Sequence, residues 1–151
     1  MRKNFSLHYN LFLIFLCGPV WSETEGPLKL PKVEGSKSFD FEISQINRLA
    51  IKKYQEGLFE MAAEHFKKAV NLAQQLRDPS QGILYFNLSL SLHKSGNHEE
   101  ATKQFYSARR FARGNLKILE SALLKMHECG FNPNISCEEK LPLSMNIEGS
   151  H

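Results

Sequence analysis

Surplus charge is what this chain has least of. Its 151 residues carry 19 Lys+Arg against 16 Asp+Glu, and without Arg2 and Lys3 near the start the count is 17 (19 − 2) against 16. A balance near +1 creates no field to draw in a polyanion, so neither a nucleic-acid partner nor an acidic membrane face is favoured. Long apolar runs are missing too: Leu11-Phe12-Leu13-Ile14-Phe15-Leu16 is well short of the ~20 residues that cross a bilayer. Catalytic signatures are equally scarce. There is no phosphate-cradling glycine loop, no Gly-x-Ser-x-Gly and no His-Glu-x-x-His. The three cysteines form no Cys-x-x-Cys pair, which excludes the usual dithiol redox centre. His127 and Glu128 lie close to Cys129, but their spacing fits no standard zinc pattern and the other histidines are dispersed. The expectation is therefore a protein that is not an enzyme, with no cofactor, no metal and no catalytic residues.

What is present begins with a targeting layout. Met1-Arg2-Lys3 is basic, Leu11–Leu16 is a short apolar core, and Val20-Trp21-Ser22 offers tolerated residues for a cut after Ser22. That is the three-part form of a signal peptide over residues 1–22. It predicts an exported product, periplasmic or secreted. The alternatives are a retained membrane anchor, or a lipoprotein acylated at Cys17, although Leu16 stands where a small residue normally precedes such a cysteine. The remaining 129 residues (151 − 22) suit one domain. Residues 23–37, with Gly26, Pro27, Pro31 and Gly35, are expected to form a mobile linker.

The core of the chain is a duplication. Gly57-Leu58-Phe59-Glu60-Met61-Ala62, with Phe66 and Ala69, is answered 39 residues later (96 − 57) by Gly96-Asn97-His98-Glu99-Glu100-Ala101, with Phe105 and Ala108. Spacings of four and three put Ala, Phe and Ala on one helical face, and the glycine suits the turn that precedes it. Ala50 and Ser89, each seven residues before its glycine, follow Leu49 and Leu88, with Ile46 and Tyr85 three residues earlier still. On these residues the chain resembles the tetratricopeptide repeat family over roughly residues 41–113. The closing proline is absent, and the extra length relative to the family period falls between Ala69 and Ser89. The resemblance implies antiparallel helix-turn-helix units in which Ala50 and Ser89 mark the closest helix approach, and a role in binding other proteins.

The predicted fold is all-α, without a sheet, over a domain at 38–130 followed by an irregular tail at 131–151. Ser38 is a plausible cap for a first helix ending near Glu56, and a second helix runs from Phe59 to Leu76. Asp78-Pro79-Ser80-Gln81 opens a third helix, with Asp78 as cap. Leu88-Ser89-Leu90-Ser91-Leu92 alternates as a half-buried strand would, yet the repeated seven-residue spacing to the glycine favours helix. A fourth helix covers His98 to Ala112, with Glu99 and Glu100 first and Arg109, Arg110 and Arg113 last, as the helix dipole prefers. Leu116, Leu119, Leu123 and Met126 mark a fifth, capping helix closed by Gly130.

By the family's geometry the concave groove would be lined by Asn47, Ile51, Tyr54, Ile83, Phe86, Leu90 and His93, an apolar strip suited to a protein or peptide partner. If instead the capping helix packs on Ile83, Phe86 and Leu90, little groove is left. Asn47 and Asn87 could supply amides to a peptide's terminal carboxylate, but Ile51 replaces a polar partner and no lysine is in line. Asn87-Leu88-Ser89 and Asn134-Ile135-Ser136 match the glycosylation pattern, the first inside a helix. Cys129 and Cys137 are expected to form a disulfide, worth roughly 2.5 kcal/mol for a loop of about nine residues. The functional expectation is a non-catalytic scaffold or adaptor of the cell envelope. The alternatives are an accessory assembly subunit of an envelope enzyme complex and a membrane-anchored lipoprotein. With only two repeats, a homodimer stays open.

Overall fold

The computed structural model describes residues 25–31 and 40–129. Helices α1 (Phe41–Gln55), α2 (Phe59–Gln75), α3 (Gln81–Lys94) and α4 (His98–Arg110) are followed by the short α5 (Leu116–Leu119) and α6 (Ala122–Glu128). There is no strand among the described residues. Each of α1 to α4 packs on its neighbours in sequence, and α6 packs back on α4.

The duplicated glycines end their helices in the same way. Gly57 and Gly96 have φ of +76° and +83°, where a side chain is strained. The Leu58 N–H donates to the Lys53 carbonyl and the Asn97 N–H to the Leu92 carbonyl, at 3.0 and 2.9 Å. Both are six-to-one closures that satisfy carbonyls a helix end otherwise leaves open. The α2 end repeats the closure, from the Asp78 N–H to the Ala73 carbonyl at 2.8 Å, but Arg77 takes the positive φ of 52° there. The long repeat spacing is located here: α2 has 17 residues and α4 has 13, a difference of four.

Asp78 is buried and joins two helix starts, its carboxylate accepting from Ser80 N–H at 2.8 Å and from Asp40 N–H at 3.0 Å. It thus braces the entry to α3, while Ser80 is the boundary residue and makes no side-chain cap bond. The cap of α1 is Asp40, which accepts from Glu42 and Ile43 N–H groups; Ser38 lies outside the described residues. Ala50, Ala62, Phe66, Ala69, Ser89, Ala101, Phe105 and Ala108 are all buried, so the small-large-small faces meet as the duplication predicts. Leu88–Leu92 is helical.

The fifth helix is two pieces rather than one. Ser121 interrupts it, its Oγ accepting from Leu124 N–H at 3.0 Å as the cap of α6. A serine able to satisfy a helix start competes with continuing the helix through it. Gly130, the expected stop, lies outside the described residues.

Candidate functional site

The first helix of each helix pair, α1 and α3, carries one asparagine that is buried. The Asn87 amide donates to Asn47 Oδ1 at 2.9 Å, so the two side chains form one polar strip between apolar neighbours. That strip holds a piece of the chain itself. Asn87 Oδ1 accepts from Leu28 N–H at 2.6 Å, and its amide also donates to the Leu28 carbonyl at 2.8 Å. Asn47 Nδ2 reaches the same carbonyl at 3.3 Å. Both backbone groups of Leu28 are therefore matched by a carboxamide, as another peptide group would match them, and the buried amides are satisfied in return. Leu28 and Leu30 pack against the apolar core.

Glu25 fixes the other end of this segment. Its carboxylate accepts from the Ser121 hydroxyl at 2.5 Å and from Ala122 N–H at 2.6 Å, adding a charged cap to α6. Residues 25–31 are thus docked, and the expectation of a mobile linker is corrected over that part of 23–37; residues 32–39 lie outside the described set. A cavity of about 380 Å³ remains beside the segment, lined by Leu28, Phe86, Leu116 and Ser121 among others.

The seven expected groove residues separate into different roles. Asn47 holds the docked segment. Ile51 is buried, and Tyr54 is half-buried with its ring edge-on to Phe59 at 5.1 Å between centroids. Ile83 is half-buried beside a second cavity shared with Pro27, Leu28, Pro31 and Leu116. Phe86 and Leu90 are only 2% and 0% exposed, so their expected role as side chains presented to a partner is corrected. The cause is packing within the second repeat: Phe86 meets Phe105 of α4 edge-on with centroids 6.0 Å apart, and the docked segment and Leu116 lie beside it around the cavity. Asn87, which matches the glycosylation pattern inside a helix, is buried and fully engaged.

His93 belongs to another constellation. It sits in the last turn of α3, His98 at the first position of α4 and His127 in α6, and one ring nitrogen of each lies within 4.8 Å of the others. His93 Nδ1 and His127 Nε2 are 2.9 Å apart. The Thr102 hydroxyl donates to the His98 carbonyl at 2.8 Å, so its oxygen is left to accept from His127 Nδ1–H at 2.7 Å. His127 is fully buried, with the Phe105 ring centred 4.8 Å away. Burial, together with the nearby His93 and His98, pushes its pKa down to about 4, so it is neutral at physiological pH. The sequence held one cue to this cluster: four residues separate His93 from His98, within the His-x₃₋₅-His spacing of some zinc sites. His127 stood out in the sequence only for its nearness to Glu128 and Cys129, and nothing local pointed to its meeting His93 and His98.

At the end of α6, Cys129 is disulfide-bonded; Cys137 lies outside the described residues. Arg109 pairs with Glu128 across α4 and α6, which gives one member of the arginine cluster a structural partner.

Residues 42–114 match the family model of the tetratricopeptide repeat. They form a tetratricopeptide-repeat domain. Its two repeats are α1–α2 and α3–α4, and domains of this family are protein–protein interaction modules. Neither the curated proteins nor the solved structures include a significant match to the chain. Among the described residues, no helix is long and apolar enough to cross a membrane.

Proposed function

We propose that the protein is a non-catalytic scaffold of the cell envelope, exported by residues 1–22, whose repeat groove binds a non-helical segment of a partner protein in the place taken by residues 25–31. The observation that carries this reading is the Asn47–Asn87 pair, which matches both backbone groups of Leu28. Recognition through the backbone tolerates varied sequences, and the cavities beside Leu28 leave room for side chains other than its own. The docked segment then acts as an internal competitor, lowering apparent affinity until a partner displaces it. Export and a Cys129–Cys137 disulfide belong to the same proposal, since disulfides persist in oxidising compartments.

The test uses a chain lacking residues 25–31 and a synthetic peptide of that sequence, Glu-Gly-Pro-Leu-Lys-Leu-Pro. Saturable binding in trans is expected, weakened by Asn87→Ala about tenfold, since two hydrogen bonds of roughly 0.5–1.5 kcal/mol each are lost. Absence of binding by a folded deletion variant would mean that the segment is an inseparable part of the core and that partners engage another face.

A further inference from the structure

The histidine cluster is not explained by the groove. Three imidazoles meet where α3, α4 and α6 converge, joining residues 34 positions apart in sequence. A neutral imidazole has a single nitrogen lone pair, and one cation can accept a lone pair from each of several rings at once. We propose that His93, His98 and His127 form a binding site for a divalent transition-metal ion of the zinc type.

Two features beyond proximity support this. First, Thr102 fixes the tautomer of His127: with its hydroxyl proton given to the His98 carbonyl, its oxygen accepts from Nδ1–H and the lone pair is placed on Nε2, toward His93. An oxygen partner on the far nitrogen is how ligating histidines are usually oriented. Second, the donors span a suitable space. Tetrahedral zinc with bonds of about 2.0–2.1 Å requires nitrogens roughly 3.3 Å apart. The 2.9 Å pair must open slightly and the wider separations, up to 4.8 Å, must close. Small ring rotations of the half-buried His93 and His98 accomplish this, while buried His127 stays fixed. An all-imidazole donor set suits zinc, copper or nickel rather than calcium or magnesium. The ion would clip α6, only seven residues long, onto the second repeat. This replaces the sequence expectation of no metal.

The experiment takes the full chain, purified without an affinity tag and stripped of metal, and titrates it with zinc(II) and cobalt(II). One zinc per chain, tetrahedral cobalt absorption bands and a raised melting temperature are expected. His93→Asn and His98→Asn should each weaken zinc binding at least ~10-fold, and Thr102→Val should weaken it ~10-fold while retaining the cobalt spectrum. His65→Asn, on α2, should change nothing. Because replacing buried His127 can unsettle α6, the decision rests on the two half-buried ligands, with metal-free circular dichroism matching the parent. Failure to bind zinc at micromolar concentration overturns the site, as does binding unaffected by both His93→Asn and His98→Asn.

Discussion

At the scale of single residues, one tightly constrained position is a glycine for which the sequence offered no role. Gly82 lies in the first turn of α3, where a Cβ would stand 2.3 Å from the Phe111 carbonyl oxygen and 2.7 Å from its carbon. Backbone atoms cannot rotate away as a side-chain tip can. Gly82→Ala is therefore expected to destabilise by about 1–3 kcal/mol, because overpacking outweighs the ~1 kcal/mol that alanine normally adds to helix stability. Urea denaturation measures it, and a stabilised variant would show that the close approach is relieved at little cost. In the sequence, Gly82 is indistinguishable from a turn glycine, since nothing near it signals the distant Phe111 backbone. Asn87 makes the same point: its helical position was legible, but its partner Leu28 is 59 residues away.

The elements differ in how far they stand alone. Helices α1, α2 and α4 announce themselves through helical periodicity, and α1 and α4 also through acidic-to-basic order; α3, whose Leu88–Leu92 alternates as a strand would, was legible through its repeated spacing to a turn glycine. Helix α6 does not, for seven residues make a marginal helix without external support. Its support comes from Ser121 and from Glu25, 96 and 97 positions away from the groups it accepts from. Glu25→Ala should accordingly raise amide hydrogen exchange across Ala122–Glu128 by about tenfold, equivalent to some 1.4 kcal/mol, while α1 to α3 keep their protection. An unchanged exchange rate in α6 would show that the carboxylate contributes nothing to its start.

For the whole molecule, the decisive event is closure of the second repeat. The sequence allowed Phe86 and Leu90 either to face a partner or to lie beneath a capping element, and the folded chain buries both. Phe86→Ala is thus expected to cost about 3–5 kcal/mol, close to Phe105→Ala, because each removes one ring of an edge-to-face pair inside the core. Chemical denaturation of the two variants compares them. A loss below ~1 kcal/mol for Phe86→Ala alone would place that ring outside the cooperative core.

The sequence by itself determined the two helix pairs, their shared closures at Gly57 and Gly96, the buried alanine and phenylalanine faces, and membership of residues 42–114 in the repeat family. Each depends on residue spacing within a helix or its adjoining turn, where backbone geometry converts sequence distance into direction. Only the tertiary structure decided that Leu28 lies on Asn47 and Asn87, that Glu25 caps α6, and that His127 joins His93 and His98. Those contacts join segments whose separation along the chain sets no distance in space. They form because packing brings apolar neighbours together, carrying polar groups to partners that the local sequence does not specify.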